Sequence, residues 1–170
     1  MPTDFLTLVR RDHVDLQKEL TQLLDPTTPV AELRQSLDGV RLGLTAHAEA
    51  EDIVLGRFDT IAALEIQVAQ ARAAHLAQEG ALASLVSSPP GSRTWRDCAY
   101  HLRELVGYHA AQEETYLLPA LRRVAPRLYD GMAGAFATER LRQLAMLQPS
   151  APICVIDLDA LVMGRAARVS

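Results

Sequence analysis

Three of the five histidines in this chain are followed four residues later by a glutamate. On a helix, residues four apart lie on the same face, so each pair presents an imidazole beside a carboxylate. On an exposed face such pairs would be ordinary stabilising contacts, whereas in a core they form a typical ligand set for iron, manganese or zinc. The pairs are His47 with Glu51, His75 with Glu79, and His109 with Glu113.

The apolar residues around these pairs indicate a core position. Leucine and valine recur at alternating steps of three and four, which is the period of a helix that packs on other helices. The histidine and glutamate pairs continue the same faces, and His13 lies on a further face of this kind between Val9 and Leu16. Each of the four long predicted helices therefore carries one histidine on its inward face.

An apolar core that holds these groups needs a compensating positive charge. A buried and unpaired carboxylate is strongly destabilising, and no lysine or arginine occupies the inward positions. A metal ion is the favoured source of that charge, and the number of donor groups favours two ions. A metal-free polar core is the alternative interpretation. The predicted metal ligands are His13, His47, Glu51, His75, Glu79, His109 and Glu113.

The chain is predicted to be all-α, as an antiparallel up-down four-helix bundle with an additional C-terminal helix and a tail. Residues 1–147 form the bundle domain, and residues 148–170 form a tail that we expect to dock on it as an extended arm or a short helix. The helices are predicted at about Thr3–Leu24, Pro29–Leu55, Thr60–Val86, Ser92 or Thr94 to Leu118, and Arg127–Leu147.

The histidine positions also indicate an internal repeat. His75 lies 62 residues after His13, and His109 lies 62 residues after His47. The first two helices are therefore predicted to form one helical hairpin and the next two helices its copy. A pseudo-twofold axis between the hairpins would bring the four histidines together in the middle of the bundle.

The overall composition narrows the classes of function. The net charge of −4 and the sequence pI near 5.7 argue against binding of nucleic acid, which requires a basic surface. No apolar run approaches the roughly 18 residues that a membrane span needs, and the N-terminus lacks the pattern of a secretory leader. We therefore expect a cytoplasmic protein without a nucleic-acid or membrane partner.

The whole pattern resembles the hemerythrin-like, or HHE cation-binding, family. The order of ligands in that family is a histidine on helix one, HxxxE on helix two, a histidine on helix three and HxxxE on helix four. This order is matched over about residues 5–125, and "EETYLLP" after His109 is similar to the family's usual ending. The resemblance implies a non-haem di-iron centre, with Glu51 and Glu113 as bridging carboxylates and an oxo, hydroxo or water bridge between two iron ions. Manganese and zinc are the less favoured metals.

One departure from the oxygen-carrying members of that family bears on function. Those members usually carry a second histidine four residues after the one on helix three, where this chain has Glu79. A carboxylate at this position disfavours reversible oxygen carriage. Members with four histidines and extra carboxylates are associated with nitric oxide or peroxide chemistry, iron sensing and iron-sulphur repair.

The resemblance therefore implies a protein that binds or reacts with a small oxidant, O2, NO or peroxide, in oxidative or nitrosative stress response. Its activity would be peroxide- or NO-processing turnover. The alternative is a metal- or oxygen-sensing module that binds without catalytic turnover. Oligomerisation through the C-terminal tail is a further expectation.

Four further residues are candidates for contacts around the ligands. Tyr116 follows Glu113 on the same predicted face, where a core tyrosine is favoured and a metal ligand or hydrogen-bond donor is the alternative. Gln17 is the repeat counterpart of position 79 and is expected near the ligands. Asp52 and Glu114 each follow a presumed ligand by one residue, so they should face outward or bond to ligand imidazoles.

Overall fold

The computed structural model describes residues 4–148, and every regular element in that range is helical, as predicted. A short 3-10 helix, Gly56–Phe58, follows the second α-helix, and a π-helical turn, Glu113–Leu117, follows the fourth. None of the helices within residues 4–148 combines the length and the apolar content that a membrane crossing requires. The α-helices are α1 (Phe5–Leu23), α2 (Val30–Leu55), α3 (Glu65–Val86), α4 (Arg93–Gln112), α5 (Leu118–Val124), α6 (Pro126–Tyr129) and α7 (Met132–Leu147).

The four long helices α1 to α4 form the predicted bundle. Helix α1 packs against α2 and α4, and α3 packs against the same two helices, so the four helices close a ring around one core. The short loops between consecutive helices make neighbouring helices antiparallel. The additional helix α7 packs against α1 and α2, and therefore covers one side of that ring.

The bundle interior contains two apolar clusters with a polar layer between them. On α1, His13 lies between Val9 of the first cluster and Leu16 of the second, and the other three inward histidines lie at the same boundary. Burial of each large apolar side chain contributes about 1.5–3 kcal/mol, so a helix cannot turn its histidine outward without exposing them. The clusters thereby fix the depth and direction of the histidines. The first cluster includes Phe5, Phe58, Leu118 and Phe136, and the second includes Leu20, Leu85, Trp95 and Leu102.

Helix α4 begins where the sequence predicts. Ser92 is the N-cap, and its hydroxyl oxygen accepts a hydrogen bond of 3.1 Å from the backbone N–H of Trp95. The preceding Gly91 has a φ of 78°, a left-handed conformation that glycine adopts without strain. Because the Trp95 side chain is fully buried, the cap also anchors the start of α4 in the core.

The inward face of the chain shifts by one residue in the π-helical turn. A regular helix after Glu113 would bring Tyr116 inward, but in the wider turn Leu117 is buried and the Tyr116 side chain is 58% exposed. The interpretation of Tyr116 as a core residue is therefore wrong. The helical backbone continues past the predicted end at Leu118, because Pro119 lies in the first turn of α5, where a missing N–H is tolerated.

Two predicted helix boundaries need correction. Helix α3 begins at Glu65 rather than Thr60, because a turn after the 3-10 helix buries Phe58 and Leu64 before α3 starts. The predicted fifth helix is divided into α6 and α7 by a turn at residues 130–131. The predicted docking of the tail lies outside the described residues.

Candidate metal centre

One histidine from each of α1, α2, α3 and α4 reaches the polar layer. The ring centroids of His13 and His47 are 4.9 Å apart, and those of His75 and His109 are 4.6 Å apart. The centroid distances of the pairs between the two hairpins are also similar, at 6.1 Å for His13 with His109 and 6.4 Å for His47 with His75. This near-equality confirms the pseudo-twofold repeat that the 62-residue spacing predicts.

Two buried glutamates lie among these rings. Atom Oε2 of Glu51 is 3.3 Å from Nε2 of His47 and 3.4 Å from Nε2 of His75. Glu113 makes the equivalent approaches at 3.3 Å and 3.4 Å to the two histidines that the repeat relates to these. Each carboxylate therefore joins a histidine of its own hairpin to a histidine of the other hairpin.

Most of these inward-facing atoms are buried without hydrogen-bond partners. Among the described residues, both carboxylate oxygens of Glu51 and of Glu113 lack a partner, as do Nε2 of His13 and of His47. The N···O separations of 3.3 Å and 3.4 Å are longer than a normal hydrogen bond. They suit donor atoms that share one metal ion, since two ligands each about 2.1 Å from a metal lie about 3.0–3.4 Å apart.

The predicted ligands are brought together with one exception. Five of them offer donor atoms that all lie within 4.8 Å of one another, and these are His13, His47, Glu51, His109 and Glu113. His75 borders this group, with its Nε2 atom 2.9 Å from Nε2 of His109. Because the donors are imidazole nitrogens and carboxylate oxygens, the residues present fit a site for iron, manganese or zinc.

The exception is Glu79. Its side chain is exposed, and the neighbouring Gln78 takes the inward position with 2% of its surface exposed. The buried face of α3 continues from His75 to Gln78, Leu82 and Leu85, in steps of three and four that pass Glu79 by. The prediction that Glu79 faces inward as a ligand is therefore wrong.

Three of the four inward histidines contact a carboxylate through the outer ring nitrogen. Atom Nδ1 of His13 is 3.0 Å from Oε1 of Glu114, and Nδ1 of His75 is 2.8 Å from Oδ1 of Asp52. These two contacts confirm the predicted bonds to imidazoles. A carboxylate in this position fixes the orientation of the ring and makes the inner nitrogen more basic.

The third carboxylate, Asp12, is not among the residues predicted from the sequence. Its Oδ2 atom lies 3.3 Å from Nδ1 of His47, and the guanidinium of Arg140 on α7 binds the same oxygen. Asp12 directly precedes His13 in the chain. A carboxylate next to a predicted ligand is the pattern that identifies Asp52, so the same pattern could have identified Asp12.

Helix α7 closes the side of the site where His47 lies. The buried ring of Phe136 has its centroid 5.7 Å from the ring of His47 and 5.7 Å from that of Phe5. Arg140, four residues further along α7, forms the ion pair with Asp12. Helix α7 therefore supplies both an apolar cover and a positive charge to the surroundings of His47.

His109 is surrounded differently. The repeat counterpart of Asp12 is Ala74, and no carboxylate within residues 4–148 contacts the outer nitrogen of His109. A cavity of about 270 Å³ lies beside His109 and Glu113 instead. Its other lining residues include Gln67, Gln70, Ala74, Tyr108, Gln112 and Tyr116.

These different surroundings shift the pKa values of His75 and His109 in opposite directions. Burial alone would lower the pKa of His75, but the carboxylates of Asp52 and Glu51 raise it to about 9. Burial, with a contribution from the neighbouring histidines, lowers the pKa of His109 to about 3. His109 is therefore neutral at physiological pH, the form in which an imidazole nitrogen binds a metal.

The two glutamates differ as well. Burial and the negative charge of Glu51 raise the pKa of Glu113 well above its usual range. Burial also opposes ionisation of Glu51, but His47 and His75 outweigh it and lower the pKa of that carboxyl well below its usual range. Since the two positions are equivalent in the repeat, the protein groups alone supply too little positive charge to ionise both carboxylates. A cation between them would supply the remainder.

Gln17 lies on the same side of α1 as His13 but is used for packing. Its Nε2 atom donates a long hydrogen bond, 3.3 Å, to the backbone carbonyl of Arg103 on α4. A Cβ atom at Gly107 would lie 3.2 Å from this amide nitrogen, so the glycine leaves room for the contact. This contact joins α1 to α4, and a role of Gln17 in the surroundings of the ligands stays a prediction.

Comparisons with known proteins agree with this geometry. A family model described as the hemerythrin HHE cation binding domain matches residues 4–121, more than half of the chain. No curated protein and no solved structure matches significantly. The fold and the buried histidine and glutamate cluster define a metal-binding helical bundle. The chain belongs to the hemerythrin HHE cation-binding family, and α7 lies beyond the matched range.

Proposed function

We propose that this chain is a non-haem di-iron protein that binds or reacts with O2, NO or peroxide in oxidative or nitrosative stress response. The observation that carries the proposal is the group of buried donor atoms of Glu51, Glu113, His13 and His47 that lack hydrogen-bond partners among the described residues. Buried charges are stable only when a partner compensates them, and membership of a cation-binding family supports a cation as that partner.

Two iron ions would be held by the four inward histidines, with Glu51 and Glu113 as bridging carboxylates. Atom Oε2 of Glu51 lies within 4.0 Å of Nε2 of three histidines, one each from α2, α3 and α4, which supports a bridging role. Bound iron would supply a redox-active centre for a small ligand. The chain itself holds the donors in a buried layer and orients the imidazoles through Asp12, Asp52 and Glu114.

Iron is preferred over manganese and zinc because of the donor set. Nitrogen and carboxylate donors suit all three metals, and a pair of ions joined by carboxylates in a helical bundle is typical of iron or manganese. Elemental analysis of protein produced in medium containing all three metals tests this choice. More zinc or manganese than iron would contradict it.

A metal- or oxygen-sensing module without turnover is the second candidate function. It is favoured by the contact of α7 with the site, where Phe136 packs on His47 and Arg140 pairs with Asp12. A movement of His47 on ligand binding would therefore reach α7 directly. Helix α7 would then be the element that reports the state of the site.

One experiment separates the two candidates. Iron-loaded protein is mixed with a large excess of hydrogen peroxide or nitric oxide, and the amount consumed per chain is followed over time. Continued consumption supports processing of the oxidant, whereas a stoichiometric and saturable reaction supports sensing. Failure of the purified protein to take up iron would contradict both. A cytoplasmic location and an oligomer formed through the tail stay predictions.

A further inference from the structure

The 62-residue repeat relates two grooves beside the candidate metal centre. The closed groove lies under α7 and contains Phe5, Leu8, Val9, Asp12, Ala50 and Val54. The open groove is the cavity beside His109, and the repeat counterparts of these six residues line it. In the same order, the counterparts are Gln67, Gln70, Ala71, Ala74, Gln112 and Tyr116.

The two grooves differ in polarity. The six residues of the closed groove are apolar apart from Asp12, and Phe136 of α7 belongs to the same apolar cluster as Phe5 and Val9. A cavity at the rim of this groove is lined by Asp12 and the charged residues Arg11, Asp15 and Arg140, and no inward histidine or glutamate lines it. The open groove has glutamine or tyrosine at four of the six equivalent positions, and Tyr108 adds a second phenol. Amides and phenols both donate and accept hydrogen bonds. The open groove therefore suits water or a hydrogen-bonding ligand, and not an apolar helix such as α7.

The open groove also connects the surface with the site. Gln70, Gln112 and Tyr108 are exposed, while His109 and Glu113 are buried in the same cavity. The volume of about 270 Å³ is several times the roughly 30 Å³ that one water occupies. A small molecule can therefore pass the glutamines and reach the side of the site that lacks an outer carboxylate.

We propose that the open groove is the entry and binding site of a small, uncharged, hydrogen-bonding ligand, and that Ala74 keeps it open. Hydrogen peroxide is the probe of this class. Among the described residues that line the groove there is no lysine or arginine and Glu113 is the sole carboxylate, so hydrogen bonds rather than charge would hold the ligand. This inference rests on the proposed function and adds the route and the ligand class.

A rival route exists between α2 and α3. A smaller cavity of about 140 Å³ there is lined by Ala48, Asp52, His75 and Gln78. Asp52 already contacts Nδ1 of His75 at 2.8 Å, so this cavity meets the outer edge of an imidazole that is engaged. It is the less direct approach to the inward donor atoms, and Ala48 provides a matched control for Ala74.

The test compares Ala74→Phe with Ala48→Phe, because both alanines are half-buried on long helices and each lines one cavity. Iron content is measured first, and the second-order rate of reaction with hydrogen peroxide is then measured by stopped flow. Ala74→Phe should retain iron and slow the reaction about tenfold or more, whereas Ala48→Phe should keep the wild-type rate. An unchanged rate in Ala74→Phe, or a matching loss in Ala48→Phe, would overturn the assigned route.

The ligand class is tested with Gln70→Leu combined with Gln112→Leu. These substitutions remove two exposed amides from the open groove and leave its volume nearly unchanged. The double variant should react more slowly with hydrogen peroxide and at the wild-type rate with nitric oxide, which hydrogen-bonds weakly. Equal slowing with both molecules, or no slowing with either, would overturn the assignment to a hydrogen-bonding ligand.

A measurement on the unmodified chain does not depend on the folding of any variant. Zinc-loaded protein is titrated with hydrogen peroxide, and the side-chain amide signals of Gln70 and Gln112 are followed by NMR. They should shift saturably, while the exposed Gln22 on α1 should not. If these signals did not shift although the iron-loaded protein reacts with peroxide, the assignment of the open groove as the binding site would be overturned. The proposed function would stand. A chain that takes up neither metal would overturn the proposed function and this inference together.

Discussion

The closed groove and the open groove surround equivalent histidines in opposite ways. In the closed groove, Phe136 packs on the ring of His47, and Asp12 contacts its outer nitrogen. In the open groove, the cavity reaches His109, and alanine occupies the position that corresponds to Asp12. The donor atoms of the two hairpins are nevertheless arranged almost identically. The repeat thus supplies a symmetric set of donors, while the different residues around it leave one side covered by α7 and the other side beside a cavity.

The largest effect is expected when a donor group is removed from the candidate metal centre, which lies between the two grooves. Glu113→Ala removes one of the two proposed bridging carboxylates, so the variant should retain at most one iron per chain. Wild-type protein should lose about 4 kcal/mol of unfolding free energy on chelation, if the metal was present at a thousandfold excess over its dissociation constant. Elemental analysis and thermal melting measure both effects.

The exposed Glu104 on α4, the helix that leads into the turn containing Glu113, provides the control for that substitution. Glu104→Ala should leave iron content and melting temperature unchanged. Two irons per chain in Glu113→Ala would contradict the bridging role. A melting temperature that chelation does not affect would contradict stabilisation by metal.

The next effect concerns the closed groove. Arg140→Ala removes the positive charge that holds Asp12 toward His47, so the metal affinity should fall about 10–100-fold, as is usual when a group that orients a ligand is lost. Competition with a chelator measures the affinity. Arg140→Lys keeps the positive charge, so this variant should retain part of the metal affinity that Arg140→Ala loses.

Arg142 provides the matched control, because it lies on the exposed face of α7 and pairs with Glu139 on the same helix. Arg142→Ala should therefore bind metal as the wild type does. If the metal affinity fell by the same factor in Arg140→Ala and in Arg142→Ala, the ion pair of Arg140 with Asp12 would not be what supports metal binding.

A smaller effect is expected when the open groove is made to resemble the closed one. Ala74→Asp places a carboxylate at the position equivalent to Asp12, where it can accept the outer N–H of His109. This bond stabilises the charged imidazolium, so the pKa of His109 in metal-free protein should rise from about 3. An NMR titration of the imidazole C–H signals measures this change.

The same substitution changes the pH dependence of stability. In the wild type, unfolded His109 takes up a proton near its ordinary pKa of about 6.5, while the folded state does not until about 3, so this residue lowers stability as pH falls through that window. Ala74→Asp should reduce that loss in metal-free protein. An unchanged pKa of His109 would mean that the aspartate does not reach the ring.

The smallest effect is expected at Glu79. Its side chain is exposed on α3, so Glu79→Gln should change the unfolding free energy by no more than about 0.5 kcal/mol and leave iron content unchanged. Absorption spectra of the iron-loaded variant and wild type should coincide. Loss of iron from Glu79→Gln would mean that the inward face of α3 differs from the one described.

The bundle and most of its donor atoms follow from the sequence because both depend on local periodicity. The step from His47 to Glu51, or from His109 to Glu113, spans one helical turn, and the leucines around them indicate which face is buried. The equal spacing of the histidine pairs indicates the pseudo-twofold in the same way. These features need no knowledge of how distant residues pack.

The features that the sequence did not predict depend on packing between helices. One turn after His75, Gln78 and Glu79 lie on either side of the His75 direction on α3. The positions of α2 and α4 decide which of the two is buried. Tyr116 is exposed because of the π-helical turn, for which the sequence offers no simple pattern. The ion pair of Arg140 with Asp12 joins residues 128 positions apart, so it could be found only once α7 was placed.

The central claim is that cations, and not the protein groups by themselves, compensate the carboxylates and imidazoles in the middle of the bundle. Anomalous diffraction at the iron absorption edge, from crystals of the iron-loaded protein, tests it most directly. We expect two iron peaks at ligand distance from Glu51, Glu113 and the four inward histidines. Water alone at this position, or histidines that hydrogen-bond directly to the two glutamates with no heavy atom between them, would contradict it.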